Sequence, residues 1–127
     1  MTDKTPAPQV WPTLTARDAR ALIRFLTEAF GFTETVVHGD GDVVHHAELA
    51  WPEGGGIMLG SASGDPRLSA AYVVTTNPDA VYARAKAAGA EITDELHETD
   101  YGSRDFAARD IEGNRWSFGT YPGEPHS

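Results

Sequence analysis

The stretch GGGIMLG, Gly54 to Gly60, has the same outline as GNRWSFG, Gly113 to Gly119: glycine, two variable residues, an apolar residue, a variable residue, an apolar residue and glycine. Sliding the sequence against itself by about 59 positions superimposes the two stretches, as a duplicated unit would. The match extends backwards without a gap, so that HHAELAWPEGGGIMLG (His45–Gly60) lies over RDFAARDIEGNRWSFG (Arg104–Gly119), with Glu-Gly in both turns. The chain is therefore predicted to contain one structural unit twice.

Each copy also carries one predicted helix at a similar offset. In the first copy, Thr15 to Asp18 has the pattern of a capping box, and Gly31 is placed to end the helix. In the second copy, Asn77 is the predicted N-cap, Pro78 suits the first turn, and Gly89 ends the helix. Between these ends the apolar residues recur at spacings of three and four, as on one face of a helix. In the first helix they are Ala19, Leu22, Ile23, Leu26, Ala29 and Phe30, and in the second Val81, Tyr82, Ala85 and Ala88.

Strand-like segments bounded by glycine, proline and acidic turns surround both helices. They are Val10–Thr15, Phe32–His38, Val43–Trp51 and Gly56–Gly60 in the first half, and Ala71–Thr76, Glu91–Glu98, Ser103–Asp110 and Asn114–Tyr121 in the second. Each half is therefore βαβββ, and the predicted fold class is α+β. Because one helix covers only one face of its sheet, we expect the two modules to curl around a mixed-sheet cleft. Residues 10–121 are predicted to form a single domain of two repeats (about 10–60 and 70–121), flanked by tails at 1–9 and 122–127.

Composition excludes several classes of protein. The 127 residues include no cysteine, so disulfides, thiolate metal sites and cysteine nucleophiles are ruled out. The net charge of −9, without a basic run, argues against a nucleic-acid partner. No apolar run is long enough to span a bilayer, and the polar start MTDKTPAPQ is unlike a signal peptide. We expect a cytoplasmic protein that does not act at a membrane.

Paired βαβββ modules resemble the vicinal oxygen chelate superfamily, which includes glyoxalase I, extradiol dioxygenases, fosfomycin resistance enzymes and bleomycin resistance proteins. The resemblance rests on Thr13 to Asp18 leading into a helix that ends Glu28-Ala-Phe-Gly-Phe32, and on Asp110-Ile-Glu-Gly-Asn-Arg-Trp-Ser-Phe118. His46-Ala-Glu-Leu49, Tyr101-Gly-Ser-Arg104 and Gly113 to Ser117 look more narrowly like its PhnB-like branch. The likeness spans about residues 10 to 121 and implies a homodimer, often with clefts completed by both chains.

Metal-using members of this superfamily hold one divalent ion with side chains on the first and last strands of each half. Carried over position by position, those places are Trp11, Met58, Ala70 and Ser117 here. An indole only donates, a thioether is too soft for a hard cation, alanine offers nothing and serine is a weak ligand. The resemblance therefore implies a protein without a metal cofactor, similar to bleomycin resistance proteins. The alternative is a divalent metal held by His45, His46 and Glu48. For His46 and Glu48, a polar strand face or a dimer contact is the competing interpretation.

We predict a metal-free protein that binds, and does not transform, an aromatic or cationic antibiotic or metabolite. The alternatives are a glyoxalase-type lyase or dioxygenase with a relocated metal, and a metal-free isomerase or lyase using Tyr101 or His45. No catalytic residue is assigned. Trp11 and Tyr72 are assigned to the floor of the cleft, but they could instead belong to the core. Arg104 is assigned as a ligand contact, but it could instead form a surface ion pair. The predicted ligand-binding residues are Trp11, Thr13, His45, Leu49, Trp51, Met58, Tyr72, Tyr101, Arg104, Arg115 and Ser117. Trp116 and Phe118 are predicted core.

Overall fold

The computed structural model describes residues 7–125 and contains two four-stranded sheets, each with one helical segment. The first repeat comprises β1 (Thr13–Ala16), α1 (Ala19–Phe25), a π-helical turn (Leu26–Phe30), β2 (Thr33–Asp40), β3 (Val43–Ala50) and β4 (Gly56–Ser61). The second comprises β5 (Ala70–Val74), α2 (Pro78–Ala87), β6 (Glu91–Glu98), β7 (Arg104–Arg109) and β8 (Arg115–Gly119). The predicted α+β fold of two βαβββ modules is confirmed. The predicted tails 1–9 and 122–127 lie partly outside the described residues.

The two sheets have the same topology. Their strand orders are β1-β4-β3-β2 and β5-β8-β7-β6, with the first and last strand of each repeat parallel and the other pairs antiparallel. Thr13 is the register partner of Met58, and Tyr72 is the partner of Ser117. These pairs are related by the offset that superimposes the two glycine-bounded stretches, so the sequence repeat is also a structural repeat.

The first helix begins later than the capping-box pattern predicts. Thr15 belongs to β1, and the N-cap is Asp18, whose carboxylate accepts a hydrogen bond from the backbone N–H of Ala21. Strand β1 reaches this far because the backbone N–H of Ala62 bonds to the carbonyl of Ala16. The second helix begins as predicted, with the Asn77 side chain accepting from Ala80 N–H.

One core joins the repeats on the face of each sheet that its helix covers. Phe30, on the π-helical turn, packs against Trp116 and Phe118, with ring centroids 5.7 and 4.8 Å apart. Trp51 of the first repeat lies 5.8 Å from Phe118 of the second. Trp116 and Phe118 are fully buried, which confirms their prediction as core. Since these contacts cross between repeats, burial of the aromatic rings fixes one repeat against the other.

The opposite face of each sheet, here called the front face, carries the residues that alternate with the core. In the first sheet it includes Thr13, Glu48 and Met58, and in the second Tyr72, Ala107 and Ser117. No helix within residues 7–125 is long and apolar enough to cross a membrane.

Candidate ligand-binding site

A cavity of about 510 Å³ opens on the front face of the second sheet. It has the size of a small-molecule site. All of its lining residues belong to the second repeat, so the chain encloses this cavity with one module rather than with both, unlike the cleft expected from the sequence. The lining residues are Tyr72, Asp94, His97, Glu98, Thr99, Asp100, Tyr101, Asp105, Phe106, Ala107, Arg115 and Ser117.

A buried carboxylate, Asp105, lies at the centre of the polar wall. Its Oδ2 accepts a hydrogen bond from the Tyr101 hydroxyl at 2.7 Å, and its Oδ1 accepts from the Tyr72 hydroxyl at 3.2 Å and from the Ser103 hydroxyl at 2.5 Å. The backbone N–H of Tyr121 donates to both the Tyr72 and the Ser103 hydroxyl oxygens. Hydroxyl donors satisfy the carboxylate without a cation, and they hold two aromatic rings in place around it.

The backbone brings these groups together through a tight turn and a missing side chain. In the β6–β7 turn the Thr99 N–H donates to the Ser103 carbonyl at 2.8 Å, and Gly102 adopts a φ of 86°. This turn folds Tyr101 back over Asp105, four residues later. On β8, Gly119 is the register partner of Asp105, and its lack of a side chain leaves space for the carboxylate.

The phenols of this cluster hold their protons tightly. The hydrogen bond to Asp105, with partial burial and the negative charge of that residue, raises the pKa of Tyr101. Burial is the main cause that raises the pKa of Tyr72. Both hydroxyls are therefore proton donors at neutral pH and poor general bases.

We expect the tyrosinate absorbance of Tyr72 and Tyr101 to appear above about pH 10, and Tyr101→Phe to remove a late-titrating group. Because the folded state keeps these protons more tightly than the unfolded state, their contribution to stability is complete below about pH 10 and is lost as the pH rises through the raised pKa. Spectrophotometric titration at 295 nm and urea unfolding at alkaline pH measure the two effects. If the titration curve of Tyr101→Phe instead lacked a phenol that titrates early, the assignment of Tyr101 as a late-titrating group would be contradicted.

Two charged side chains of the wall are paired with each other. Arg115 Nη2 lies 2.7 Å from Asp94 Oδ2, and both residues line the cavity. Arg104, predicted either as a ligand contact or as a surface ion pair, forms ion pairs: it contacts Asp79 through two nitrogens and Glu98 at 2.9 Å. Arg104 is therefore occupied in fastening β6 and β7 to the start of α2, and it is absent from the cavity lining.

The prediction of Leu49 and Trp51 as ligand-binding residues required Leu49 on β3 to lie opposite Met58 on β4. Glu48, not Leu49, is the partner of Met58, so Leu49 and Trp51 point into the core and are buried. The Trp51 indole donates to the carbonyl of Val74. Leu49 is wholly buried and its prediction as a ligand-binding residue is wrong, because a shift of one residue exchanges the two faces of a strand. Trp51 lines another cavity, of about 470 Å³, together with Tyr72.

The histidines of β3 also separate. His38 pairs with His46 and Gly39 with Val44, which leaves His45 as the extra, exposed residue of a β-bulge. His46 shares the front face with Glu48, and its Nε2 lies 2.8 Å from the Glu48 carboxylate. His46 and Glu48 therefore satisfy each other.

The remaining predicted residues of the first repeat lie apart from the large cavity. Trp11 donates its indole N–H to the Pro8 carbonyl, and its ring lies against Gly56. Thr13 lines a second cavity, of about 240 Å³, between β1 and β5. Met58 lies half-buried between Thr13 and Glu48 on the first front face. Of the predicted set, Tyr72, Tyr101, Arg115 and Ser117 are brought together in the large cavity.

The residues implied as metal positions by the resemblance do not fit a divalent ion. Met58 offers only a thioether, and the Trp11 indole nitrogen is a donor already bonded to Pro8. Ala70 has no ligand atom, and Ser117 lies between Tyr72 and Ala107 without a carboxylate or imidazole among its register partners. Within residues 7–125, no group of three or more histidine, aspartate or glutamate side chains is arranged to hold a metal ion.

Comparison with known proteins agrees with this architecture. The model of the Glyoxalase/Bleomycin resistance protein/Dioxygenase superfamily matches residues 9–118. TioX from Micromonospora sp. ML1 is 26% identical, with a TM-score of 0.71 over 87% of this chain and 94% of that chain. A glyoxylase/bleomycin resistance protein/dioxygenase domain from Frankia sp. EAN1pec is 23% identical, with a TM-score of 0.69 over 91% and 98% of the two chains.

A more distant likeness in fold is to FosX, a genomically encoded fosfomycin resistance protein from Listeria monocytogenes, in a complex with Mn(II) and sulfate. It is 17% identical, with a TM-score of 0.63 over 92% and 94% of the two chains. Among curated proteins none matches the chain. With the family model matching most of its length, the chain belongs to the Glyoxalase/Bleomycin resistance protein/Dioxygenase superfamily.

Proposed function

We propose that this chain is a metal-free binding protein that holds an aromatic or cationic antibiotic or metabolite in the cavity of the second repeat without transforming it. The observation that carries the proposal is a cavity of about 510 Å³ beside a metal position that has lost its ligands. Ser117 lines the cavity where metal-using relatives are expected to place a carboxylate or imidazole. A divalent ion would stabilise an enolate or a deprotonated diol, and these residues cannot hold one.

The side chains of the cavity support binding rather than turnover. The carboxylate of Asp105 already accepts from three hydroxyl groups, and the phenols of Tyr72 and Tyr101 have raised pKa values. The exposed His97 has its Nδ1 2.7 Å from the carbonyl of Glu95. Acid-base catalysis by Tyr101 or His45 remains the alternative to test, although His45 lies on the bulge of the other sheet.

We also propose a cytoplasmic homodimer, with the PhnB-like branch as its place within the superfamily. A second copy would supply the wall that the first repeat of the same chain does not give to this cavity. The partly exposed Val74 and Tyr72, on the edge strand β5, favour coverage by another surface. Sedimentation analysis measures the oligomeric state.

We expect the purified protein to contain far less than one equivalent of divalent metal per chain, measured by mass spectrometry after preparation without chelators. Thermal-shift assays with Zn²⁺, Mn²⁺, Ni²⁺ and Mg²⁺ are expected to leave the melting temperature unchanged. Small aromatic ligands are expected to raise it, since a ligand at 100 times its Kd stabilises the folded state by about 2.7 kcal/mol. Stoichiometric metal that is lost in His46→Ala would establish the relocated-metal alternative instead. Turnover of a bound ligand, abolished in Tyr101→Phe, would establish the metal-free enzyme.

A further inference from the structure

We infer that the ligand of the second-repeat cavity is an organic cation, an amine or quaternary ammonium on an apolar or aromatic body. The inference rests on the proposed function, because it assumes that this cavity is the binding site.

The wall of the cavity is negatively charged. It contains four carboxylates, Asp94, Glu98, Asp100 and Asp105, and one guanidinium, Arg115. Asp94 is paired with Arg115, and Glu98 with Arg104. Across residues 7–125 no salt bridge involves Asp100 or Asp105. A cation entering the cavity is therefore attracted by two uncompensated charges, whereas an anion is repelled.

Most of the hydroxyl hydrogens around the cavity are already used. Both phenol hydroxyls donate to Asp105, Thr99 donates its hydroxyl to the Ser103 carbonyl, and Arg115 donates to Asp94. A ligand rich in acceptor atoms, such as a carboxylate or a phosphate, would have to break these bonds to use the phenols. It would otherwise depend on Ser117, His97 and the other N–H groups of Arg115. A quaternary ammonium needs no hydrogen-bond donor from the protein.

Aromatic rings lie partly exposed beside the carboxylate. Tyr72, Tyr101 and Tyr121 are 41%, 59% and 37% exposed. The rings of Tyr101 and Tyr121 are nearly perpendicular, at 81°, with centroids 5.8 Å apart. Because the hydroxyls of Tyr72 and Tyr101 both bond to Asp105, their rings flank the same negative charge. Tyr72 and Tyr101 line the cavity, and aromatic rings beside a carboxylate suit an alkylammonium group, which aromatic ring faces attract.

The test compares benzyltrimethylammonium with its neutral isostere neopentylbenzene, by NMR titration of the ¹⁵N-labelled full chain. We expect both probes to shift the amides of Ala107 and Ser117, and the cation to bind about tenfold more tightly at low salt. The preference is expected to shrink in 0.5 M NaCl, because salt screens the attraction. Equal or tighter binding of neopentylbenzene would overturn the cation inference and leave the cavity as the binding site. If neither probe shifts these amides, the cavity is not the site, and the proposed function fails with the inference.

Variants test which side chains cause the preference for the cation over neopentylbenzene. Tyr101→Leu removes an exposed ring and is expected to weaken benzyltrimethylammonium about fivefold, while the conservative Tyr101→Phe keeps the ring and recovers most of that loss. Asp100→Asn, at an exposed position of the wall, is expected to lower the cation affinity and spare neopentylbenzene. Asp65→Asn is the matched control, since the Asp65 side chain is 97% exposed and does not line the cavity. An Asp65→Asn effect as large as that of Asp100→Asn would attribute the preference to overall charge and overturn the assignment.

Discussion

Gly119→Ala is expected to lower the free energy of unfolding by about 3 kcal/mol. A Cβ at this position would lie 1.9 Å from Asp105 Oδ1, 2.7 Å from Asp105 Cγ and 2.3 Å from the Tyr72 hydroxyl oxygen. Neither neighbour can retreat without loss, because Asp105 is buried beneath three hydroxyl donors and the Tyr72 hydroxyl accepts from Tyr121 N–H. The methyl group therefore displaces the polar cluster of the cavity wall. Urea unfolding followed by tryptophan fluorescence measures the change.

A double-mutant cycle distinguishes this clash from a general effect of alanine on β8. In an Asp105→Ala background the nearest clashing atoms are absent, so the cost of Gly119→Ala should fall by about half. Gly64→Ala is the matched control, since a Cβ there meets nothing within 4 Å and its φ is not positive. We expect a change within about 0.5 kcal/mol for it. Equal costs for Gly119→Ala in the two backgrounds would show that crowding against Asp105 is not the cause.

Much of the fold could be predicted from the sequence because its signals are local or repeated. Gly31 and Gly89 both adopt positive φ, of 92° and 82°, at the predicted ends of the helices. The strand register could not be predicted in the same way. It depends on the turn after β3, where Gly54 N–H bonds to the Trp51 carbonyl and Trp51 N–H to the Gly55 carbonyl. These two bonds place Leu49 opposite Ile57, and the sequence alone does not specify them.

The residues of the candidate site could be predicted where the alternation of side chains along a single strand determines the face on which they lie. Tyr72, Arg115 and Ser117 follow from the parity of β5 and β8, and all three line the cavity. Asp105 was not predicted, although it forms the centre of the wall. A signal existed, since Asp105 is a charged residue two positions from Ala107 and shares its face, directly before the apolar run Phe106-Ala107-Ala108. Its role depends on Tyr72, 33 residues earlier, and such side-chain contacts follow only from the assembled sheet.

Asp110→Ala is expected to be the most destabilising of these substitutions, at about 4 kcal/mol. The buried Asp110 carboxylate accepts hydrogen bonds from the backbone N–H groups of Glu112 and Asn114, from the Asn114 side-chain amide, and from the Trp116 indole at 2.8 Å. Asn114 and Trp116 are themselves almost wholly buried, so their N–H groups would lose this partner where water has little access. Trp116 also contacts Phe30 and Phe32, so its displacement would disturb the core between the repeats.

The cause is tested by removing the donor as well as the acceptor. Trp116→Phe keeps an aromatic ring in the core and deletes the indole N–H, so adding Asp110→Ala to it should cost about 1 to 2 kcal/mol less than in the unmodified chain. The near-ultraviolet circular dichroism of Asp110→Ala should weaken, because the Trp116 ring is no longer held by its hydrogen bond. Asp65→Ala, at an exposed ion pair with Arg17, should change stability by less than about 1 kcal/mol. A cost below about 1 kcal/mol for Asp110→Ala itself would mean that water or a rearranged turn replaces the carboxylate, and that this turn does not fix the core tryptophan.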